Sequence, residues 1–270
     1  VNYNWYRNGA SDPMLNMPFV EPDDNNLTYD FSGYENHGTV FGAEFNSTGG
    51  YDGFGAFEFD GDDDSIFVGD SEPAKNFTAL MWIRKAAAAS DSDYGLLGFN
   101  KTGSETGGIS YCYIQAAVDY RYYCIIKTSD LASGITGASI QDTDWHLFGV
   151  TVEERASDVL FKLWNDGAEV KSSALSGSAQ PINLTLIGVA SWGSTHYQMN
   201  GSIDQVMVYN RTLSAEEIQL IYNNKTNITH ASATSGGENW TVKATPIDSY
   251  GENGTSVFSN SINVTQMVID

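Results

Sequence analysis

The sequence predicts an all-β, antiparallel sandwich fold, and three observations lead to this prediction. Short runs alternate apolar and polar residues with a period of two, as at residues 77–83 and 159–164. Gly, Asn, Asp or Ser separates the runs, often at the spacing of about 8 to 12 residues that is typical of such sandwiches. The chain has 270 residues, of which 41% are hydrophobic and 17% charged. This composition is typical of a globular protein and argues against long disordered segments.

Other segments of the chain predict further strands, a hairpin turn and one helix. Further alternating runs lie at residues 56–59, 66–68 and 146–152. Asp166-Gly167 supplies the positive φ of a hairpin turn. One helix of about ten residues is predicted after Ser214, because Ser214 and Glu217 form a capping box ahead of Ile218, Ile221 and Tyr222.

The only two cysteines, Cys112 and Cys124, lie in two β-rich runs around residues 117–121. Symmetric pairing of a hairpin about Val118 places both sulfurs on one face, where a disulfide would contribute on the order of 3 kcal/mol. Two buried free thiols are the alternative. A cysteine metal site is not expected, since no other Cys and no His lies at ligand spacing.

Charge and hydropathy exclude two classes of partner. The chain carries 34 acidic and 13 basic residues, a net charge of −21, which repels nucleic acid and anionic lipid. No apolar stretch reaches the roughly 18 residues that a membrane helix needs. The first residues lack the pattern of a secretion signal, so we expect a mature or excised piece.

The motif Asn-x-Ser/Thr is unusually frequent. It occupies 12 of the 21 asparagines and ends in Thr in 11 of the 12 cases, which we interpret as selection for N-glycosylation. The same residue types also favour turns, which is the alternative reading. The predicted glycosylation sites, which imply an extracellular or cell-surface protein, are Asn26, Asn46, Asn76, Asn100, Asn183, Asn200, Asn210, Asn224, Asn227, Asn239, Asn253 and Asn263.

Segments 30–39, 55–68, 77–83, 145–146, 163–167 and 200–218 occur in an order that resembles the laminin G-like, concanavalin A-like jelly roll. The resemblance covers about residues 22–225, and segment 200–218 is its most specific part. Asn165 precedes Asp166-Gly167 where the family more often has Val or Leu. The resemblance implies a jelly roll that recognises glycans or a protein partner.

The two ends resemble a different fold. Residues 1–9 look like strand C of an immunoglobulin-like module, and residues 239–248 and 256–264 look like its strands F and G. We therefore predict a partial immunoglobulin-like domain formed by residues 1–21 and 226–270, with the jelly roll of residues 22–225 inserted into it.

The jelly-roll resemblance also implies a structural Ca²⁺, for which Asp30, Asn36 and Asp204 are the predicted ligands. The alternative for Asp204 is that it accepts backbone hydrogen bonds from the turn at residues 30–38. Trp192 and Tyr197 are the predicted ligand-binding aromatics, because they lie in a polar loop. Tyr94, Tyr120 and Tyr122 are further candidates.

Catalysis is not expected. Glu58, Asp60 and Asp62 alternate as a glycosidase pair might, but Phe57 and Phe59 should point into the core and leave the acids outside. We predict a non-enzymatic adhesion module that binds a glycan or a surface protein. The alternative is a glycosylated subunit of an extracellular filament or surface layer, a homopolymer in which a neighbour's strand completes the open edge of the terminal domain. A glycoside hydrolase is the third class.

Overall fold

A computed structural model describes residues 2–19, 22, 26–69, 74–87, 93–101, 110–130, 132–192, 195–225, 234, 236–246 and 254–264. They form short antiparallel strands, one α-helix, α1 (Ala215–Tyr222), and a 3₁₀ turn at Ala116–Val118. In chain order the strands are β1 (Asn2–Arg7), β2 (Ala10–Ser11), β3 (Pro13–Met17), β4 (Leu27–Thr28), β5 (Gly38–Phe41), β6 (Glu44–Asn46), β7 (Ala56–Asp60), β8 (Ser65–Phe67), β9 (Phe77–Lys85), β10 (Tyr94–Lys101), β11 (Ser110–Gln115), β12 (Arg121–Lys127), β13 (Ala132–Ser139), β14 (His146–Glu154), β15 (Val159–Asn165), β16 (Ala168–Leu175), β17 (Ile182–Ile187), β18 (Val189–Trp192), β19 (Thr195–Gln198), β20 (Asn200–Tyr209), β21 (Asn239–Thr245), β22 (Val257–Phe258) and β23 (Ile262–Asn263).

Two eight-stranded antiparallel sheets enclose the main core. The front sheet has the order β13-β12-β11-β10-β17-β8-β5-β4, and the back sheet has the order β16-β15-β14-β9-β20-β7-β6, with β3 also paired to β20. Phe57, Phe99, Phe148 and Phe161 meet between the sheets and are almost completely buried. This arrangement confirms the predicted all-β jelly-roll sandwich, and Phe57 and Phe59 point into the core as expected.

The predicted helix is present and begins where the capping box places it. The Ser214 side chain accepts a hydrogen bond from the Glu217 N–H, and the Glu217 carboxylate accepts one from the Ser214 N–H at 2.9 Å. Ile218 then packs with Trp82 and Trp164 on the outer face of the back sheet. In the part of the chain that the structure describes, no helix is long and apolar enough to cross a bilayer.

The predicted hairpin and disulfide are confirmed. Cys112 lies directly opposite Cys124 in the β11–β12 register, and the two form a disulfide that is fully buried. Asp119 and Tyr120 complete the turn with φ of 57° and 51°. The alternative of two free thiols is therefore wrong.

The two ends of the chain share a separate sheet. β1 pairs antiparallel with β21 from Asn2 opposite Thr245 to Arg7 opposite Trp240, and β2, β22 and β23 complete this terminal sheet. The buried Trp240 ring meets the Trp5 ring edge-on, with 6.2 Å between centroids. The pairing of the two ends agrees with an inserted jelly roll, while the immunoglobulin-like assignment stays a prediction.

The jelly roll begins earlier than residue 22. β3 pairs with β20, and Leu15 and Met17 are fully buried in the main core, so this strand belongs to the back sheet. Asp12 marks the junction, because its carboxylate accepts two hydrogen bonds from Arg211 at 2.9 and 2.6 Å. Arg211 also donates to Glu217 at 2.7 Å, which ties the start of α1 to the same junction.

Candidate binding face of the front sheet

Tyrosines cover part of the outer face of the front sheet. Along β11 and β12 the side chains alternate, so that Cys112 and Cys124 face the core while Tyr111, Tyr113 and Tyr123 face outwards. Their rings lie close together, with centroids 5.9 Å apart for Tyr111 and Tyr113 and 5.2 Å apart for Tyr113 and Tyr123. Period-two alternation in two paired strands therefore produces one aromatic surface.

The hairpin of β18 and β19 lies over one side of this surface. Tyr197 stacks on Tyr113 with ring centroids 4.4 Å apart and planes at 18°. The hairpin comes so close to β10 that a Cβ on Gly95 would overlap the Tyr197 carbonyl and the Ala190 amide. Glycine at position 95 is what allows this approach.

The four tyrosines Tyr111, Tyr113, Tyr123 and Tyr197 are here called the tyrosine face. Tyr111 and Tyr113 are buried, whereas Tyr123 and Tyr197 are half-buried and present ring surface to solvent. Burial, followed by the nearby Tyr197 hydroxyl, raises the pKa of both Tyr111 and Tyr113 above the usual range for tyrosine. The face therefore combines apolar rings with neutral hydroxyl groups.

Asp93 lies beside the tyrosine face. One carboxylate oxygen accepts a hydrogen bond from the Ala116 N–H at 2.8 Å. Burial raises the pKa of Asp93, while that backbone hydrogen bond lowers it. The charge of Asp93 in turn helps to raise the pKa of the Tyr113 hydroxyl, so the carboxylate and the phenol are electrostatic neighbours.

The predicted ligand-binding aromatics separate into distinct places. Tyr197 belongs to the tyrosine face, and Trp192 is the last residue of β18, with a side chain that lies outside the described part of the structure. Tyr94 and Tyr122 are buried in the main core, so the prediction that they are ligand platforms is wrong. Tyr120 is half-buried under the Lys85 ammonium, 4.7 Å from its ring centroid.

The predicted calcium ligands Asp30, Asn36 and Asp204 have different hydrogen-bond partners. Asp30 accepts hydrogen bonds from the backbone of Asn16, Ser32 and Asn36 and from the Ser32 hydroxyl, at 2.6 to 3.1 Å. Asn36 donates its side-chain amide to the Met14 carbonyl. A carboxylate offers about four acceptor positions, so in this structure hydrogen bonds of the turn use those of Asp30, and calcium there stays a prediction.

Asp204 has a different environment. It is fully buried, and one oxygen accepts a hydrogen bond from the Tyr51 N–H at 2.9 Å. The backbone donor to Asp204 is therefore Tyr51, whereas the alternative prediction placed it in the turn at residues 30–38. The other oxygen has no described donor in good hydrogen-bond geometry. Burial, followed by the charge of Asp52, raises the pKa of Asp204 well above its usual range, although the Tyr51 and Gln205 N–H groups lower it. Asp204 thus fits a cation ligand on its own, and calcium there stays a prediction.

The acids near β7 have structural partners. Glu58 accepts a hydrogen bond from the Asn46 side chain at 2.7 Å, while Asp62 lies in the turn after the strand, where its N–H donates to Asp60. Oxygens of Asp60, Asp63 and Asp64 lie within 4.8 Å of one another, but the buried Asp64 already accepts from the Asp60 N–H at 2.7 Å. This cluster closes a turn.

Most of the described glycosylation sites are accessible, with one exception. Asn183 is only 3% exposed within β17, so a glycan has no room on its amide in the folded chain, and this prediction is wrong. The Asn100 side chain, Asn227 and Asn253 lie outside the described residues. The exposed or half-buried sites are Asn26, Asn46, Asn76, Asn200, Asn210, Asn224, Asn239 and Asn263.

Solved structures share the fold at low sequence identity. The ligand-binding domain of botulinum neurotoxin serotype D, in complex with N-acetylneuraminic acid, superposes with a TM-score of 0.56 at 15% identity, over 79% of this chain and 51% of that one. The binding domain of Paraclostridial Mosquitocidal Protein 1 gives 0.56 at 18% identity, over 78% and 52%. The Trypanosoma rangeli sialidase gives 0.57 at 15% identity, over 80% and 34%. The chain thus spans about half the length of the toxin domains.

Sequence comparison gives the family. No curated protein matches the sequence. The family model described as the concanavalin A-like lectin/glucanases superfamily matches residues 60–219, which is more than half of the chain and includes β8 to β20 and the start of α1. The chain therefore belongs to the concanavalin A-like lectin/glucanases superfamily.

Proposed function

We propose that this protein is a non-enzymatic glycan-recognition module and that the tyrosine face is its binding surface. The single observation that carries the proposal is the stack of Tyr197 on Tyr113, with half-buried rings beside clustered hydroxyl groups. Aromatic rings pack against the apolar faces of sugars, while phenol hydroxyls supply hydrogen bonds and orientation.

The burial pattern supports this proposal. Tyr111 and Tyr113 are 4% and 6% exposed, which makes them a fixed base, whereas Tyr123 and Tyr197 remain open to a ligand. A preformed base loses little conformational entropy when a ligand binds. Among solved structures of the same fold, the botulinum neurotoxin serotype D ligand-binding domain is in complex with N-acetylneuraminic acid.

A glycan microarray tests the proposal. The wild type should bind a defined subset of glycans, and Tyr197→Ala should reduce binding at least tenfold because it removes the stacked ring. Tyr197→Phe should bind more strongly than Tyr197→Ala, since it keeps the ring. Tyr34→Ala is the matched control, because Tyr34 is 44% exposed and lies outside the tyrosine face. Equal binding by the wild type and Tyr197→Ala would refute the proposed surface.

We also propose an extracellular or cell-surface location, where a glycan or a surface protein would be the partner. The buried disulfide between Cys112 and Cys124 supports it, because disulfides persist in oxidising compartments. The exposed Asn-x-Ser/Thr motifs support it as well. Peptide mass spectrometry of the native protein tests this assignment, with glycan expected on exposed asparagines such as Asn76 and absent from Asn183.

A second candidate function is a subunit of an extracellular assembly. Val257, Phe258 and Ile262 of the terminal sheet are 57–65% exposed, which is unusual for large apolar side chains on short strands. A strand from another copy would cover them. Size-exclusion chromatography distinguishes the candidates, because a recognition module elutes as a monomer and an assembly subunit as a polymer.

A further inference from the structure

We propose that the tyrosine face binds two sugar units of one linear glycan, one unit on Tyr197 and the other on Tyr123, and that this glycan is a helical chain rather than a flat ribbon. This inference rests on the proposed glycan-binding function and names the class of glycan. Gly134 of β13 is the positioning residue for the Tyr123 ring.

A single row of the front sheet carries both open rings. In the strand register, Gly95 of β10 lies opposite Tyr113, and Tyr113 lies opposite Tyr123 of β12. The Tyr197 carbonyl comes so close to Gly95 that a Cβ there would overlap it. Tyr197 and Tyr123 therefore lie on opposite sides of Tyr113, which is buried between them.

The ring of Tyr123 reaches across to β13, the outermost strand of the front sheet. Tyr123 lies opposite Thr136 in the register, but its hydroxyl and Cζ occupy the space that a Cβ on Gly134 would need. The far end of the ring thus rests on the β13 backbone, and the side chain as a whole is half-buried. Glycine at position 134 is what allows this close approach.

The spacing of the two open rings suits separate sugar units. The ring centroid of Tyr113 is 4.4 Å from that of Tyr197 and 5.2 Å from that of Tyr123. The centroids of Tyr197 and Tyr123 are therefore separated by no more than the sum of these two distances. A pyranose ring is similar in size to a phenol ring, so each open ring accommodates one unit, and a chain of two or three units spans both.

The planes of the two open rings are not parallel. The Tyr197 plane makes an angle of 18° with the Tyr113 plane, and the Tyr123 plane makes an angle of 52° with it. The planes of Tyr197 and Tyr123 therefore differ by at least 34°, the difference between 52° and 18°. Two sugar units that stack on these rings must be rotated against each other by a similar angle.

This rotation selects the glycan class. The C–H groups of a sugar pack on the negative face of an aromatic ring, which keeps the two mean planes close to parallel. Ring planes stay nearly parallel along a flat ribbon such as a β-1,4-glucan, so one ribbon cannot stack on both tyrosines. Units of helical chains such as α-1,4-glucans, β-1,3-glucans and β-1,4-xylans turn against one another, and such a chain can stack on both.

An array of linear oligosaccharides tests the glycan class. It carries chains from monosaccharide to hexasaccharide in three helical series, α-1,4-glucan, β-1,3-glucan and β-1,4-xylan, and in three flat series, β-1,4-glucan, β-1,4-mannan and chitin. The trisaccharide of at least one helical series should bind at least tenfold more strongly than its monosaccharide and than any flat trisaccharide. Stronger binding to a flat series, or no binding to any helical series, would overturn the assigned class.

Gly134→Ala tests the positioning of Tyr123. The added methyl group should displace the ring and weaken binding of the preferred trisaccharide several-fold, whereas the exposed Gly254→Ala in the terminal part of the chain is the matched control. Tyr123→Ala should weaken binding at least as much. Because Gly134 acts through Tyr123, the double variant should bind no more weakly than Tyr123→Ala alone. A thermal melt identifies any variant that fails to fold.

The outcomes separate this inference from the proposed function. If Tyr197→Ala loses glycan binding while Tyr123→Ala binds as well as the wild type, glycan binding stands and the second sugar unit is overturned. Equal binding of monosaccharide and trisaccharide would also overturn the second unit. Wild-type binding by Gly134→Ala, or additive losses in the double variant, would overturn the role of Gly134.

Discussion

The outer faces of the two large sheets are both aromatic, but they are covered differently. On the back sheet, α1 packs Ile218 and Tyr222 over Trp82, which also stacks on Tyr51. On the front sheet, a two-stranded hairpin covers only part of the tyrosine face. Trp82 is 2% exposed, whereas Tyr123 and Tyr197 remain half-buried.

Coverage by a neighbouring element distinguishes structural from functional aromatic side chains in this fold. A ring that a helix covers completely contributes apolar burial and holds two layers together. A ring that stays partly open, beside hydroxyl groups, contributes less stability and retains a surface for a ligand. Substitutions under the helix on the back sheet should therefore lower stability more than ligand binding, and substitutions of the open tyrosines should lower ligand binding more than stability.

The largest effect on stability is expected from Trp82→Ala on the back face. It removes a buried ring between Tyr51 and Tyr222 and should lower the free energy of unfolding by about 3 to 5 kcal/mol. Urea unfolding measures the loss. A decrease in the free energy of unfolding of less than about 1 kcal/mol would mean that α1 does not shield this face of the back sheet from solvent.

The next effect is expected from the disulfide beneath the tyrosine face. Cys112→Ala with Cys124→Ala opens the loop between two fully buried residues and should cost about 3 kcal/mol. Urea unfolding of the double variant and of the wild type measures it. If the double variant were as stable as the wild type, the front sheet would not depend on this crosslink.

A smaller, pH-dependent effect is expected at His146, the first residue of β14 in the back sheet. The imidazole of His146 lies 2.8 Å from carboxylate oxygens of both Asp166 and Asp142. The hydrogen bond to Asp166, with that to Asp142, raises the pKa of His146 to about 9. Because the folded pKa exceeds the unfolded value of about 6.5, the contribution is complete below pH 6.5 and is lost as the pH rises through about 9.

His146→Gln tests this contribution. The variant should be less stable than the wild type by about 2 kcal/mol at pH 6, a value reduced because Asp142 is largely exposed. The gap should shrink as the pH approaches 10. Thermal unfolding of both proteins across this range measures it, and a gap independent of pH would show that folding does not raise the pKa of His146.

The smallest effect is expected at Asp204, whose second oxygen has no described donor in good hydrogen-bond geometry. Asp204→Asn removes a buried charge and should raise the free energy of unfolding by about 1 kcal/mol in EDTA. If Asp204 is the predicted calcium ligand, added calcium should stabilise the wild type but not the variant. A large loss of stability in EDTA would contradict this description of the site.

Local signals made several features predictable. Ser214 and Glu217 are three residues apart and cap α1 without help from distant residues. Asp166-Gly167 adopts the positive φ of 51° and 79° that its sequence favours. Cys112 and Cys124 are symmetric about their turn, so the hairpin register alone brings them together.

Features that depend on distant packing were not predictable. Alternation shows that Tyr111 and Tyr113 share a face, but not that the hairpin near Gly95 would bury them from outside. The hydrogen bond from the Asn16 N–H of β3 to Asp30 was also not predictable, because it joins residues that are 14 positions apart.

A crystal structure of the protein with the best oligosaccharide from the microarray would show where the sugar binds. We expect a sugar ring stacked on Tyr197 or Tyr123, within hydrogen-bonding distance of at least one phenol hydroxyl of the tyrosine face. A sugar bound elsewhere, with the tyrosine face empty, would show that these tyrosines are not the glycan-binding surface.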